Sequence, residues 1–184
     1  ASLNLSDLNG SSGFRLDGEA ALDYSGDSVS SAGDVNGDGY DDLIVGSRAD
    51  PNGNYSGSSY VVFGGAADMG ASVNLSSLDG TNGFRLDGEA AIDFSGRSVS
   101  SAGDINGDGY DDLIIGAFGA DINGSTSGSS YVVFGTGSAF AATVNLSTLN
   151  GTNGFRLDGE AAFDQSGTSV SSAGDVNGDG YDDL

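Results

Sequence analysis

The sequence predicts an all-β protein built from four-stranded antiparallel blades that pack radially, as in a β-propeller. A block of about 70 residues occurs three times, its complete copies each hold four short strand-forming segments, and Gly, Asn, Asp and Ser fill the connections. Because four short strands cannot cover both faces of their own sheet, neighbouring copies must pack on each other. A linear β-solenoid and a row of separate sandwich-like modules are the alternatives.

The repeat period follows from a Phe-Arg-Leu-Asp-Gly-Glu motif. It begins at three positions, spaced by 70 and 71 residues: Phe14, Phe84 and Phe155. We therefore predict repeat 1 at residues 1–70, repeat 2 at residues 71–141 and a partial repeat 3 at residues 142–184.

Each complete repeat contains four predicted strands. In repeat 1 they lie at residues 13–17, 28–32, 43–46 and 59–63. The first alternates apolar and polar residues, the second leads into an Asp-rich loop, the third is a short apolar run, and the fourth is rich in β-branched and aromatic residues. Two complete four-strand sets are expected over about residues 27–88 and 97–159. An outer strand precedes them at Phe14 to Asp17, and a further blade begins at Ser169 to Leu184.

Composition narrows the classes of function. The net charge is -22, from 5 Arg and 27 acidic residues, and the chain has no Lys, His or Cys. Nucleic-acid binding is not expected, because phosphate contacts need basic side chains. A Ser-His-Asp arrangement, a thiol nucleophile and a Schiff-base lysine are excluded. No apolar run approaches the length of a membrane span, so membrane insertion is not expected. We expect a protein that is not an enzyme.

A charged trio recurs in every repeat, and repeat 1 contains it as Arg15, Asp17 and Glu19. A pair of carboxylates could serve acid–base chemistry. Occurrence in every unit instead favours a solvated strand face or a salt bridge between blades.

The most specific motif is D-x-N-x-D-G-x-x-D, which occurs three times. Its copies occupy residues 34–42, 104–112 and 175–183. Side-chain oxygens at positions one, three, five and nine, with a carbonyl at position seven, are how a flexible loop binds Ca²⁺. Plain Asp-rich turns are the alternative, but they need no carboxylates at positions one, five and nine, whose clustering costs repulsion. Mg²⁺ fits less well because it prefers a stricter octahedron. We expect structural Ca²⁺, about one per repeat and up to three.

The order of landmarks resembles the FG-GAP repeat, the blade of the integrin α-subunit β-propeller and of many bacterial surface proteins. The resemblance is carried by Phe94-Ser95-Gly96, by the loop from Asp104 and by Leu113-Ile114-Ile115-Gly116-Ala117, and it covers essentially the whole chain. It implies four-stranded antiparallel blades whose D-x-N-x-D-G-x-x-D loop joins two strands and binds Ca²⁺. The third copy departs from the pattern, because Gln165 replaces the aromatic residue.

The resemblance also implies which residues hold the ion. Each loop would supply four side chains and the main-chain carbonyl of its Tyr. The implied ligands are Asp34, Asn36, Asp38, Tyr40 and Asp42; Asp104, Asn106, Asp108, Tyr110 and Asp112; and Asp175, Asn177, Asp179, Tyr181 and Asp183. The eighth loop residues, Asp41, Asp111 and Asp182, are expected to face solvent.

These observations predict an extracellular or cell-surface, secreted protein with a structural or adhesive role. Two and a half blades cannot close a ring, so we expect the partners to be copies of the chain or further blades of a longer chain. Copies could assemble into a filament or a ring, and a protein or glycan ligand is also possible. The alternative function is the propeller portion of a secreted hydrolase or lyase whose catalytic residues lie outside this segment.

Overall fold

The chain is all-β in the computed structural model, which describes residues 4–66 and 69–184. The described part contains eleven strands and three single 3₁₀ turns. The strands are β1 (Arg15–Asp17), β2 (Ser28–Gly33), β3 (Asp42–Ser47), β4 (Ser58–Val62), β5 (Ser72–Asn74), β6 (Gly83–Asp87), β7 (Ser98–Gly103), β8 (Asp112–Ala117), β9 (Ser129–Val133), β10 (Thr143–Asn145) and β11 (Gly154–Asp158). The 3₁₀ turns are Leu5–Asp7, Leu75–Ser77 and Leu146–Thr148. The described residues contain no helix long and apolar enough to cross a membrane.

Two antiparallel four-strand sets form the blades. The first has the order β6-β4-β3-β2 and the second the order β11-β9-β8-β7. The fourth strand of each blade comes from the beginning of the next sequence repeat, so β6 pairs with β4. This confirms the predicted sets over residues 27–88 and 97–159. The further blade has only an isolated antiparallel bridge, between Gly174 and Asp183, in place of the strands expected from Ser169.

Three-residue parallel strands join successive blades, and the sequence pattern did not reveal them. β10 lies in the β9–β11 connection of the second blade, and it pairs in parallel with β6 of the first blade. β5 pairs with the outer strand β1 in the same way. Each of these strands ends at an Asn whose side-chain oxygen caps the following 3₁₀ turn, as Asn74 does by accepting from the amide of Ser76 at 3.0 Å. Three residues are too few to display a strand alternation.

The main hydrophobic core lies between the two blades. Ile44 and Val61 of the first sheet pack in one cluster with Leu113 and Ile115 of the second. The other faces of the two sheets have clusters of their own, centred on Tyr60 with Leu75 and on Ile114 with Val132. The central strands are largely apolar because the face toward the other blade is buried and much of the opposite face is buried as well.

Equivalent residues of the two blades show how the blades pack. Leu113 is 1% exposed because the first blade covers it, whereas its counterpart Leu43 is 38% exposed. Val99 is likewise 6% exposed and its counterpart Val29 is 67% exposed. The same sequence is therefore buried where a preceding blade lies against it and exposed where none does.

The charged trio forms salt bridges between successive repeats. Glu19, in the connection that leads to β2, accepts from Arg85 of β6 at 3.0 Å, and Glu89 accepts from Arg156 of β11 at 2.9 Å. The hydroxyl of Tyr60 also donates to Glu19 at 2.7 Å. Burial raises the pKa of Tyr60, and Glu19 raises it further, so the phenol stays a hydrogen-bond donor. The predicted salt bridge is therefore present, but it joins the connection that enters a blade to the outer strand of the same blade and does not join two blades.

Glycine is required at a close approach between the two blades. A methyl group on Gly46 would overlap the main-chain carbonyl of Gly96 and the hydroxyl of Ser28. We expect Gly46→Ala to lower the free energy of unfolding by about 1–3 kcal/mol, because the blades must separate to admit the methyl group. Urea denaturation measures this cost. The matched control is Gly65→Ala, since Gly65 has no atom near its added methyl group. Equal stability of the two variants would contradict the packing described.

Candidate metal-binding loops

The three Asp-rich loops occupy equivalent places in the blades. The first, residues 34–42, joins β2 to β3, and the second, residues 104–112, joins β7 to β8. A register shift next to Gly33 and Gly103 releases the chain from the sheet just before each loop. Gly37 has a φ of 74° and Gly39 a φ of 87°, left-handed values that glycine adopts without strain. The backbone thereby curls tightly around the first carboxylate.

The first loop is organised around Asp34. Its Oδ1 accepts from the amides of Gly37 and Asp38 at 2.8 and 3.0 Å, and its Oδ2 accepts from Gly39 at 2.9 Å. Asp104 and Asp175 accept the same three bonds in the other loops. The structure therefore places all three first-position carboxylates alike, at the centre of their loops.

The third and fifth positions lie next to each other on the exposed side of the loop. Asn36 Oδ1 accepts from the amide of Asp38 at 2.8 Å, and Asp38 Oδ1 accepts from the amide of Tyr40 at 3.0 Å. Asn106 and Asp108 repeat these bonds, as do Asn177 and Asp179. These side chains present amide and carboxylate oxygens at the loop surface.

The ninth position is buried. Asp42 is 0% exposed, and it accepts from Val35 at 3.0 Å and from Gly64 at 2.8 Å. It therefore ties the loop to the chain that leaves β4. Burial raises the pKa of Asp42 to about 6, and the nearby charges of Asp38 and Asp34 raise it as well. Asp112 has the same position, and its pKa is also raised to about 6 by burial.

The third loop is the least enclosed of the three. Asp183 is only half-buried. Its Oδ2 accepts from the amide of Val176 at 3.0 Å, and its Oδ1 accepts from the side-chain amide of Asn177 at 3.4 Å. Among the described residues, no amide donates to Asp183 in the way that Gly64 and Gly135 donate to the ninth residue of the first two loops. We therefore expect the third loop to be the weakest of the three as a cation site.

The donor set is suited to a hard cation, although the loops do not form a closed cage. Within residues 4–66 and 69–184, no three carboxylates converge closely enough to enclose a metal ion by themselves. The salt bridges of this part of the chain include none with a loop carboxylate. An oxygen-only set with buried, mutually repelling carboxylates and no basic partner fits Ca²⁺ chemically. The carbonyls of Tyr40, Tyr110 and Tyr181 remain predicted ligands.

The prediction that all three eighth-position carboxylates face solvent is wrong for two of them. Asp111 and Asp182 are half-buried, and each contacts the preceding loop. Asp41 is exposed, as predicted. The difference arises because the eighth residue faces the preceding loop: Asp111 lies against the first loop and Asp182 against the second, whereas no earlier Asp-rich loop lies beside Asp41 in the described part of the chain.

A second notable surface lies at the opposite ends of the strands. The ring of Phe94 stacks between Tyr55 at 5.6 Å and Phe118 at 5.1 Å. Each repeat also has a large apolar residue at one equivalent position of this surface: Leu22, Ile92 and Phe163. All three are exposed and have φ near 70°, a backbone angle that is unusual for large side chains. Sequence reasoning overlooked this surface. The signal was a large apolar residue followed by Asp in every repeat, at Leu22-Asp23, Ile92-Asp93 and Phe163-Asp164.

Comparison with known proteins agrees with this architecture. Residues 25–62 and 95–133 match the FG-GAP repeat. The chain is 35% identical over 94 residues to integrin alpha-2 of Mus musculus and 35% identical over 96 residues to integrin alpha-PS5 of Drosophila melanogaster. These alignments cover 51% and 52% of the chain but only 8% and 9% of the relatives. The chain thus matches a small part of much longer proteins.

Proposed function

This chain carries two FG-GAP repeats and is similar to integrin α subunits, and on that premise we propose that its blades are calcium-stapled units of an extracellular structural or adhesion protein. The main supporting observation is the buried ninth-position carboxylate, Asp42 or Asp112. It lies near further carboxylates and has no basic partner among the described residues. Such a group is costly to bury unless a cation neutralises it.

The proposed ligands are those of the sequence motif. In the first loop they are the side chains of Asp34, Asn36, Asp38 and Asp42 with the carbonyl of Tyr40, and the other two loops use the equivalent residues. When bound, Ca²⁺ would supply positive charge that removes the repulsion between these carboxylates. The carboxylates would then share the ion while keeping their hydrogen bonds to the loop amides.

The role of the ninth residue explains why such an ion would be structural. Asp42 is the first residue of β3, and its Oδ1 accepts from Gly64, just beyond β4. One carboxylate therefore connects the loop to two strands of the blade. Neutralising its charge stabilises the hairpin and the end of the neighbouring strand together, so blade order would depend on Ca²⁺. We expect a Kd on the order of 10⁻⁴–10⁻³ M, the class of extracellular modules.

An adhesive or self-associating role is supported by two surfaces. The first carries the exposed Leu22 and Ile92 beside the stacked aromatic rings, and it offers apolar contact to a protein or glycan ligand. The second is the face of the first blade with Val29 and Leu43, whose counterparts are buried by a preceding blade. We propose that a copy of this chain, or a further blade of a longer chain, covers this second face.

The enzyme alternative has no comparable support. The repeated polar groups of the described residues are used in loop hydrogen bonds and salt bridges between repeats. A longer sequence with an unrepeated cluster of His or Glu in one blade would favour a hydrolase or lyase instead.

Calcium binding by the metal-free chain tests the proposal directly. Equilibrium dialysis is expected to give up to three Ca²⁺ per chain, one fewer in Asp108→Ala, and no change in Asp7→Ala, which removes an exposed carboxylate outside the loops. Light scattering on the same samples reports self-association, and a higher mass with Ca²⁺ is expected if copies cover the Val29 face. No saturable binding, or equal stoichiometry in Asp108→Ala, would contradict the proposed sites.

A further inference from the structure

The eighth residue of one loop forms two hydrogen bonds with the first residue of the preceding loop. The amide of Asp34 donates to Asp111 Oδ2 at 2.8 Å, and the amide of Asp111 donates to the carbonyl of Asp34 at 3.2 Å. Asp111 therefore engages both main-chain polar groups of Asp34 across 77 residues of sequence. We call this reciprocal pair of hydrogen bonds the inter-loop clamp.

The clamp occurs again between the next two loops. The amide of Asp104 donates to Asp182 Oδ2 at 3.0 Å, and the amide of Asp182 donates to the carbonyl of Asp104 at 3.3 Å. The second clamp joins different blades but uses the same atoms at nearly the same distances. The contact is therefore a property of the repeat and not of one chance neighbour.

Glycines in the receiving loop make room for the clamp. A methyl group on Gly33 would overlap the carboxylate of Asp111, and one on Gly37 would overlap the ring of Tyr110. Gly103 and Gly107 stand in the same relation to the third loop. The seventh and eighth residues of one loop thus dock closely against the preceding loop.

Asp34, which accepts the clamp, is also the residue around which its own loop is organised. Asp34 accepts three amides through its carboxylate, while its main chain is held by Asp111. Resting on the proposed calcium function, we propose that Asp111 and Asp182 are positioning residues for cation binding in the preceding loop. Each orients a first-position ligand of a neighbouring blade, so that binding in successive loops is coupled.

The eighth-position carboxylate acts on the preceding loop, and the chain contains its own control. The third loop positions the second, and the second positions the first. Asp41 has the same motif position and the same flanking residues as Asp111, but its carboxylate makes no hydrogen bond within the described part of the chain. Substitution of Asp41 therefore reports the local effect of removing an eighth-position carboxylate.

A calcium titration followed by NMR separates the loops, because the amides of Gly37 and Gly107 report the first and second loops individually. In Asp111→Ala we expect affinity at the first loop to fall by about tenfold, within the usual range of coupling between sites, and affinity at the second loop to change less than about twofold. Asp111→Asn should recover most of the loss, because its amide oxygen can still accept from Asp34. Asp41→Ala should change neither loop by more than about twofold.

Two results would overturn the assignment while leaving calcium binding intact: equal weakening of both loops in Asp111→Ala, or the same loss at the first loop in Asp41→Ala. Absence of binding in the unsubstituted chain would overturn the calcium function and the positioning role together. Hydrogen exchange of the Asp34 amide in the metal-free chain then shows whether the clamp itself forms, with faster exchange expected in Asp111→Ala than in Asp41→Ala.

Discussion

Millimolar Ca²⁺ is expected to raise the melting temperature of the metal-free chain by roughly 10–30 °C. At about 10 mM Ca²⁺ and a Kd on the order of 10⁻⁴–10⁻³ M, each site adds about 1.4–2.7 kcal/mol to the free energy of unfolding. Three sites add roughly 4–8 kcal/mol, and about 2–4 °C per kcal/mol applies to a chain of this size. Differential scanning calorimetry with Ca²⁺ and with chelator measures the shift.

The control for this prediction must account for the net charge of -22, which any salt screens. Samples with NaCl at matched ionic strength and with the same concentration of Mg²⁺ are therefore needed. NaCl should give a shift of a few degrees at most, and Mg²⁺ a smaller shift than Ca²⁺, because it demands stricter geometry. Equal shifts with all three salts would mean that the loops are ordinary turns and that the charge alone is being screened.

The metal-free chain is expected to become more stable when the pH falls from 7 towards 5. Burial raises the pKa of Asp42, Asp112 and Asp93 to about 6, above the ordinary aspartate value of 3.8. Between about pH 4 and 6 the folded state therefore binds protons that the unfolded state has released, and stability decreases as the pH rises through this window. At pH 7 each of these groups lowers the free energy of unfolding by about 3 kcal/mol at most.

Bound Ca²⁺ should reverse this dependence. The ion favours the ionised form of Asp42 and Asp112, so acidification would release it and lower the stability. Urea denaturation from pH 4.5 to 7.5, with the metal-free samples prepared on a chelating resin, should give opposite slopes with and without Ca²⁺. Exposed groups with lowered pKa, such as Asp17 and Asp79, lose their contribution only below about pH 4, outside this window.

Asp93 is the internal control for the pH experiment, because it lies outside the loops. Its pKa is raised first by burial, and Glu89 and Asp121 nearby raise it further. We expect Asp93→Asn to flatten the slope of the metal-free chain without altering its reversal by Ca²⁺. Asp112→Asn should reduce both the slope of the metal-free chain and the reversal of that slope by Ca²⁺. The same slope with and without Ca²⁺ would contradict the buried loop carboxylates as cation ligands.

Local chemistry made much of this molecule predictable from its sequence. Alternation in Phe14-Arg15-Leu16-Asp17, the apolar run from Leu43 and the β-branched run at Tyr60 predicted strands that the structure contains. The glycines at positions four and six of each loop predicted the tight curl, because only glycine adopts their φ values without strain. These features depend on residues close together in the chain, and each pattern occurs in more than one repeat, which supports the prediction.

The contacts between repeats were not predictable in the same way. The parallel pairing of β10 with β6 depends on three residues, too few to show a period. The placement of Asp111 beside Asp34 depends on how two blades pack, and nothing in the local sequence distinguishes Asp111 from Asp41, whose carboxylate makes no hydrogen bond within residues 4–66 and 69–184.

The sequence by itself determined the repeat, from the 70- and 71-residue spacing of its motif, and the four main strands and the oxygen-rich loop, which follow from side-chain chemistry within about ten residues. Only the tertiary structure decided that Leu113 is buried while its counterpart Leu43 is exposed. It also decided that Asp111 forms the inter-loop clamp, whereas the carboxylate of Asp41 makes no hydrogen bond in the described part of the chain. The physical reason is that burial and hydrogen bonding at these positions are set by the neighbouring blade, which the local sequence does not describe.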